Sequence, residues 1–173
     1  MTRMIKWLLA ATIALAAGLA AFIYSGLYPI GADAPHAAAT NWALATLRDR
    51  SIARASRDTP VPDLEDPELL LSGGPDYNDM CAGCHLKPGR DESDLSIGLY
   101  PTPPNLSKRA GDPRHQFWVI KHGIKTSGMP AWGPTHDDER IWAMVAFLQK
   151  LPELTPQQYQ VLTARDSESG DHH

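Results

Sequence analysis

Met80-Cys81-Ala82-Gly83-Cys84-His85 is the stretch on which the reading of this chain turns. Its two cysteines are the only ones in the sequence, so their spacing has to be read together with the histidine that follows. A structural disulfide has no use for a histidine there. A four-ligand zinc site needs a second Cys/His pair at ligand spacing, which His115, His122 and His136 do not supply. A thioredoxin-type redox pair needs a βαβ frame, and the sequence has neither a strand-rich segment nor an internal repeat. One chemistry uses all three residues: two thiols a turn apart add to the two vinyl groups of a haem, and the next imidazole reaches the iron. Covalent attachment also suits a small helical domain with too little core to hold a haem by burial alone. The expected cofactor is one covalent haem c, bound through Cys81 and Cys84 with His85 as iron ligand.

Upstream of the motif, Asp66-Pro67 has the form of a helix start, a capping side chain and then proline at the first helical position. The helix should bring Leu69, Leu70 and Tyr77 to the motif, with Gly74-Pro75 predicting a kink or a fresh start. Asp58-Thr59-Pro60-Val61-Pro62 breaks the pattern before it and sets the start of the globular domain at residue 61. Before that break, Thr40 or Asn41 can cap a helix reaching Arg57, with Trp42, Leu44, Leu47 and Ile52 partly segregated from the arginines. Such a helix suits a membrane surface or a solvated spacer. From Trp7 to Ala32 no residue is charged, enough to span a bilayer, and Arg3 and Lys6 precede the run. The expected organisation is a cytoplasmic amino terminus and transmembrane anchor over 1–32, a periplasmic spacer over 33–60, a haem domain over 61–165 and a disordered tail over 166–173. Pro35 disfavours cleavage after Ala34, so the anchor is expected to be retained.

Downstream, the proline-rich stretch Lys87 to Gly111 is long for a loop in a small domain and should wrap the haem. A helix opens at Asp112-Pro113 and closes at Gly123, and another opens at Thr135, with Asp138 as a weak capping box, and runs through Trp142, Val145, Ala146 and Leu151 to Pro152. A short helix begins near Pro156.

The sixth iron ligand must come from Met80, Met129, Met144, His115, His122 or His136. Met80 adjoins the attachment motif and cannot fold back, and Met144 lies among core-type helical residues. Met129 sits in Thr126-Ser127-Gly128-Met129-Pro130-Ala131-Trp132, which has no helical or strand period, with glycine allowing close approach and proline stiffening the exit. It is the expected ligand. His122 is the alternative, or else a histidine favoured by the helix dipole.

The order of helix, Cys-x-x-Cys-His, Pro104-Asn105-Leu106, helix, Gly128-Met129-Pro130 and Trp-containing helix resembles the monohaem class I cytochromes c over about residues 65 to 152. The whole chain is similar to their membrane-anchored bacterial periplasmic members. That resemblance implies an all-α fold of three to four helices around the haem. It implies that the Pro104 carbonyl accepts a hydrogen bond from the His85 ring, fixing its tautomer, and that Leu106 packs on the haem face. It further implies crossed terminal helices packed through aromatic side chains, a role for Tyr77 and Trp142.

The formal charge is −4, and from Asp33 onward all 20 acids stand against 14 bases, which disfavours nucleic acid as a partner. The expected partners are the membrane and redox proteins. Lys108, Arg109, Arg114, Lys121 and Lys125 face one acid in their segment, whereas Asp63 to Asp79 holds six acids and no base, which predicts an electrically polar domain. With both axial positions filled by protein, the expectation is a one-electron carrier in the periplasm, tethered to the inner membrane by a single pass, and not an enzyme. A subunit of a larger membrane oxidoreductase, and a peroxidase or ligand sensor with an open distal side, are the alternatives.

Overall fold

In the computed structural model, residues 2–164 are described; the tail expected over 166–173 lies outside them. The described residues form helices and connecting loops with no strand. The chain divides into two compact units, Met1–Ala34 and Pro35–His173.

The first unit is α1, Thr2–Ser25, long and apolar enough to cross a membrane, with mean hydropathy 2.0 and no side chain buried by protein. Two of its hydroxyls are turned back on the backbone: Thr12 donates to Leu8 O at 2.9 Å and Ser25 to Phe22 O at 2.7 Å. Gly26, at φ +66°, ends the helix seven residues before Asp33, the first charge after Lys6.

The second unit holds α2 (Ala38–Ala55), α3 (Pro67–Met80), the single turn α4 (Ala82–His85), α5 (Asp94–Gly98), α6 (Pro113–His122), α7 (Asp138–Lys150), a 3₁₀ turn (Leu151–Glu153) and α8 (Pro156–Leu162). α2 packs on α6, and its carboxyl end is secured where Arg114 Nε donates to Thr59 O at 3.2 Å. Thr40 and Asn41 lie inside α2 and do not cap it; the residue before the helix is Ala37, which contributes no side-chain bond.

The dominant contact is α3 across α7. Gly73 makes it possible, because a Cβ there would lie 2.0 Å from Ala143 O, and Gly74 plays the same part against Leu162 O of α8. Of the two expected consequences of Pro75, a fresh helix start does not occur, because α3 continues through it. The carbonyl that loses its bond to Pro75 belongs to Leu71, an exposed residue, so water can satisfy it. Asp66 caps α3 by accepting from Glu68 N, and Asp112 caps α6 by accepting from Arg114 N. α7 starts at Asp138, three residues later than Thr135 suggested, because Asp137 is its cap and Thr135 is spent in a turn on the Trp132 carbonyl.

Tyr77, Ile141, Met144, Val145, Phe147 and Leu151 are fully buried and form the centre of the core. The aromatic contact at the α3–α7 crossing is Tyr77 with Phe147, ring centres 5.5 Å apart, with Tyr159 of α8 edge-on to Tyr77 at 6.4 Å. Trp142 takes no part in it, in contrast to the expectation. It lies on the other side of α7 and stacks on Phe117 of α6 at 4.2 Å, because Trp142 and Phe147 are five residues apart on one helix.

Candidate functional site

The attachment motif lies where α3 passes into α4. Cys81 N–H still donates to Tyr77 O at 2.9 Å, closing α3, while Cys81 O accepts from Cys84 N at 3.1 Å and His85 N at 2.8 Å, forming the next turn. The two thiols are therefore set by one backbone carbonyl. The two cysteines are not joined to each other, and Cys81 is buried and Cys84 half-buried. Burial, with Asp76 and then Cys84 adding to it, pushes the Cys81 thiol up to about 12. Burial thus favours the neutral form of the Cys81 thiol.

His85 Nδ1 lies 2.9 Å from Pro104 O. A carbonyl can only accept, so Nδ1 carries the proton and Nε2 keeps its lone pair. Burial lowers the His85 pKa while the bond to Pro104 opposes the shift, and the neutral ring is the form that ligates iron. Leu106 N donates to His85 O at 3.1 Å, so Pro104 and Leu106 grip the histidine from both its ring and its backbone. Asn105 between them anchors the loop: its carbonyl oxygen accepts from the Ser107 amide at 3.0 Å and hydroxyl at 2.6 Å, and its amide donates to Arg90 O at 3.3 Å.

The chain leaves the motif through Leu86 at φ +68°, ψ −179°, a region that belongs almost only to glycine. The Tyr77 hydroxyl donates to Leu86 O at 2.6 Å and the Leu86 side chain is buried, and together these offset the strain. Ser93 ties the far side of the loop to the motif, its hydroxyl donating to Gly83 O at 2.6 Å while it caps α5 in a reciprocal pair with Ser96. Sequence reading missed Leu86 and Tyr77 as a pair, and Ser93 as a tie. A Ser-x-x-Ser spacing hints at the cap, but nothing local signals a positive φ at a leucine.

The Met129 loop is zipped back on the end of α6. Ile124 N donates to Met129 O at 3.1 Å, Trp132 N to Ile120 O at 3.0 Å and Gly133 N to Lys121 O at 2.9 Å. Gly123 is required twice, for φ +66° and because a Cβ would lie 2.7 Å from Ala131 N and 2.8 Å from Met129 O. Ser127 caps Met129, its hydroxyl accepting from Met129 N at 3.1 Å. Met129 is half-buried against the same apolar cluster that Cys81 belongs to and Leu106 and Trp132 border. Met144 is wholly within the core. His122 is exposed, with its ring 4.9 Å from that of Trp118.

Residues 68–148 match the family model for cytochrome c oxidase, cbb3-type, subunit III. The chain carries a c-type cytochrome domain. Neither a curated protein nor a solved structure gives a match. The cytochrome domain has the all-helical class I cytochrome c fold, binds haem c covalently and serves electron transfer. The residues present fit that group: two cysteines on one turn that are not joined to each other, and an imidazole whose Nδ1 is committed to the Pro104 carbonyl.

Part of the charge of the basic segment is paired within the fold. Lys108 pairs with Asp91 at 2.8 Å and Lys121 with Asp138 at 2.6 Å, so acids from other segments fold back on the basic one. Lys150 likewise reaches Glu65 of the acidic segment at 3.3 Å. Segment totals cannot register such pairs.

Proposed function

We propose that the chain is a membrane-anchored one-electron carrier whose haem c is tethered by Cys81 and Cys84 and ligated by His85 and Met129. A haem held there would supply one-electron chemistry, its iron taking up or giving up a single electron. The protein residues do the rest. Cys81 and Cys84 would keep the group on the chain, and the Pro104 carbonyl holds the proton on His85 Nδ1, which leaves the Nε2 lone pair available to the iron. Leu106 and Trp132, packed against the apolar cluster, would help to exclude water from the site. The hydrogen-bonded Met129 loop supports a ligand that need not move when the charge changes.

The single observation that carries this reading is the 2.9 Å bond from His85 Nδ1 to Pro104 O, which has no purpose for a surface histidine but orients an axial ligand. A carrier also has to leave no open coordination site, which the Met129 assignment provides. We place α1 in the cytoplasmic membrane and the haem domain on its periplasmic side, since Arg3 and Lys6 favour a cytoplasmic amino terminus and covalent haem attachment belongs to the outer face. The organisation into anchor, spacer and haem domain is part of the same proposal.

A second reading, a haem c subunit of a larger membrane oxidoreductase, is favoured by the family match, which is to an oxidase subunit. Solubilisation in mild detergent separates the two. The carrier should run alone with pigment that survives acid-acetone extraction and a weak ferric absorption band near the red end of the spectrum, typical of methionine ligation. Stoichiometric copurification with other redox subunits would establish the second reading, and pigment lost to solvent would overturn both.

A further inference from the structure

The role of α2 is not used by the electron-transfer site, and its two faces differ. Ala45, Arg48 and Ile52 are half-buried and Ser56 is fully buried, a stripe at helical spacing that packs towards α6. At about 100° per residue, Leu47, Arg50 and Arg54 form a second stripe on the opposite side, with Leu44 on one flank of it. Leu44 is 47% and Leu47 68% exposed, both arginines are exposed, and Trp42 on the flank is 70% exposed. Between Ala38 and Arg57 there are four arginines and one acid, Asp49, which is paired with Arg48 at 2.8 Å. From Asp58 onward the sequence carries 18 acids against 10 bases. Bases are thus concentrated on the one helix that follows the anchor in sequence, interleaved with leucines and a tryptophan that no protein covers.

We infer that the outward stripe of α2 binds the anionic phospholipid surface of the bilayer, with Leu47 entering the headgroup layer, Arg50 and Arg54 on phosphates and Leu44 at the edge of the contact. The chemistry fits a lipid surface better than a protein. Long arginine side chains reach phosphates while their stems cover apolar ground, and tryptophan favours the interface. The moderate apolar area would bind weakly on its own, but the covalent anchor supplies the second attachment that such weak contacts need. Because α2 is held to α6 by its other face, this contact fixes how the haem domain stands at the membrane and limits tumbling on the tether. The inference rests on the membrane-anchored reading and not on the haem ligands.

The test uses the full-length ferrous holoprotein in lipid nanodiscs, where Cys81 and Cys84 are occupied by haem, with single spin labels after Leu47→Cys, Leu71→Cys or Leu15→Cys. Collision with oxygen against a water-soluble nickel chelate reports lipid or water. The Leu15 label reports the anchor separately and should be in lipid throughout. With phosphatidylglycerol present, the Leu47 label should become protected from nickel several-fold relative to the Leu71 label, whose site is also exposed. In neutral phosphatidylcholine discs, or with Arg50→Gln and Arg54→Gln together, that protection should be lost, since each arginine near an anionic surface strengthens partition about fivefold. If the Leu15 label is in lipid and the Leu47 label stays as open to nickel as Leu71 in anionic discs, the inference is overturned. Cross-linking from Leu47 to a second polypeptide in native membranes, without lipid protection in discs, would overturn it in favour of a protein partner. A Leu15 label found in water would instead defeat the anchored reading itself.

Discussion

The Tyr77 hydroxyl donates to the Leu86 carbonyl at 2.6 Å, joining the core side of α3 to the residue where the backbone leaves the haem-attachment turn. Leu86 has φ +68°, so this bond and the burial of the side chain hold a conformation that leucine does not choose. The hydroxyl also lies 3.4 Å from His85 O, so Tyr77 supports the backbone of His85 as well.

Tyr77→Phe leaves the buried Leu86 carbonyl without its donor while keeping the aromatic packing on Phe147. It should destabilise the holoprotein by about 1–3 kcal/mol, measured by guanidinium unfolding followed at the haem band. A loss below a few tenths of that range would show that Leu86 holds its conformation unaided.

Gly73→Ala puts a methyl where Ala143 O already lies 2.0 Å away, and the obstacle is backbone, which cannot rotate aside. α3 and α7 must separate, and a cost of about 3 kcal/mol or more is expected, at the upper end for overpacked cores. Gly98→Ala has open space around it and is the control; it should change stability by less than about 1 kcal/mol. Equal melting temperatures for the two variants would contradict the crossing geometry.

Asp76 is buried at 7% exposure and is gripped by Arg140, whose Nε donates to Oδ2 at 2.6 Å and Nη2 to Oδ1 at 2.8 Å. This pair bolts α3 to α7 beside Gly73, and the carboxylate raises the Arg140 pKa. Arg140→Gln should cost about 1.5–3 kcal/mol, the range for hydrogen bonds to charged groups. Adding Asp76→Asn should recover part of that loss, because the stranded charge is removed. A double-mutant cycle in urea measures the coupling, and additivity of the two substitutions would deny the clamp.

Met129→Ala should open the distal side, admit carbon monoxide or cyanide, and lower the midpoint potential; Met129→His should keep six-coordination and also lower it, because imidazole supports ferric iron better than thioether does. Potentiometry and ligand titration on both variants check this. Should Met129→Ala leave spectrum, potential and ligand access unchanged while His122→Ala alters all three, the ligand is His122 and the carrier is a bis-histidine one.

Local chemistry decided much of this protein in advance. The Cys81-Cys84-His85 spacing names the cofactor because no other use of those three residue types survives comparison. The caps at Asp66 and Asp112 and the left-handed stop at Gly123 are read where they stand, since each depends on a few neighbouring residues. Tertiary structure alone settled which aromatic lies at the α3–α7 crossing, because both faces of α7 carry large rings and only packing chooses Phe147 over Trp142. It also carried α3 through Pro75, where burial of Tyr77 and close approach at Gly73 outweigh one lost backbone bond. The ion pairs of Lys108 and Lys121, and the strained exit at Leu86, join residues far apart in sequence or depend on a hydroxyl nine residues away. Capping and turn preferences act over about four residues and are written locally, whereas helix crossings, long-range charge pairs and strain are set by what the folded chain brings alongside.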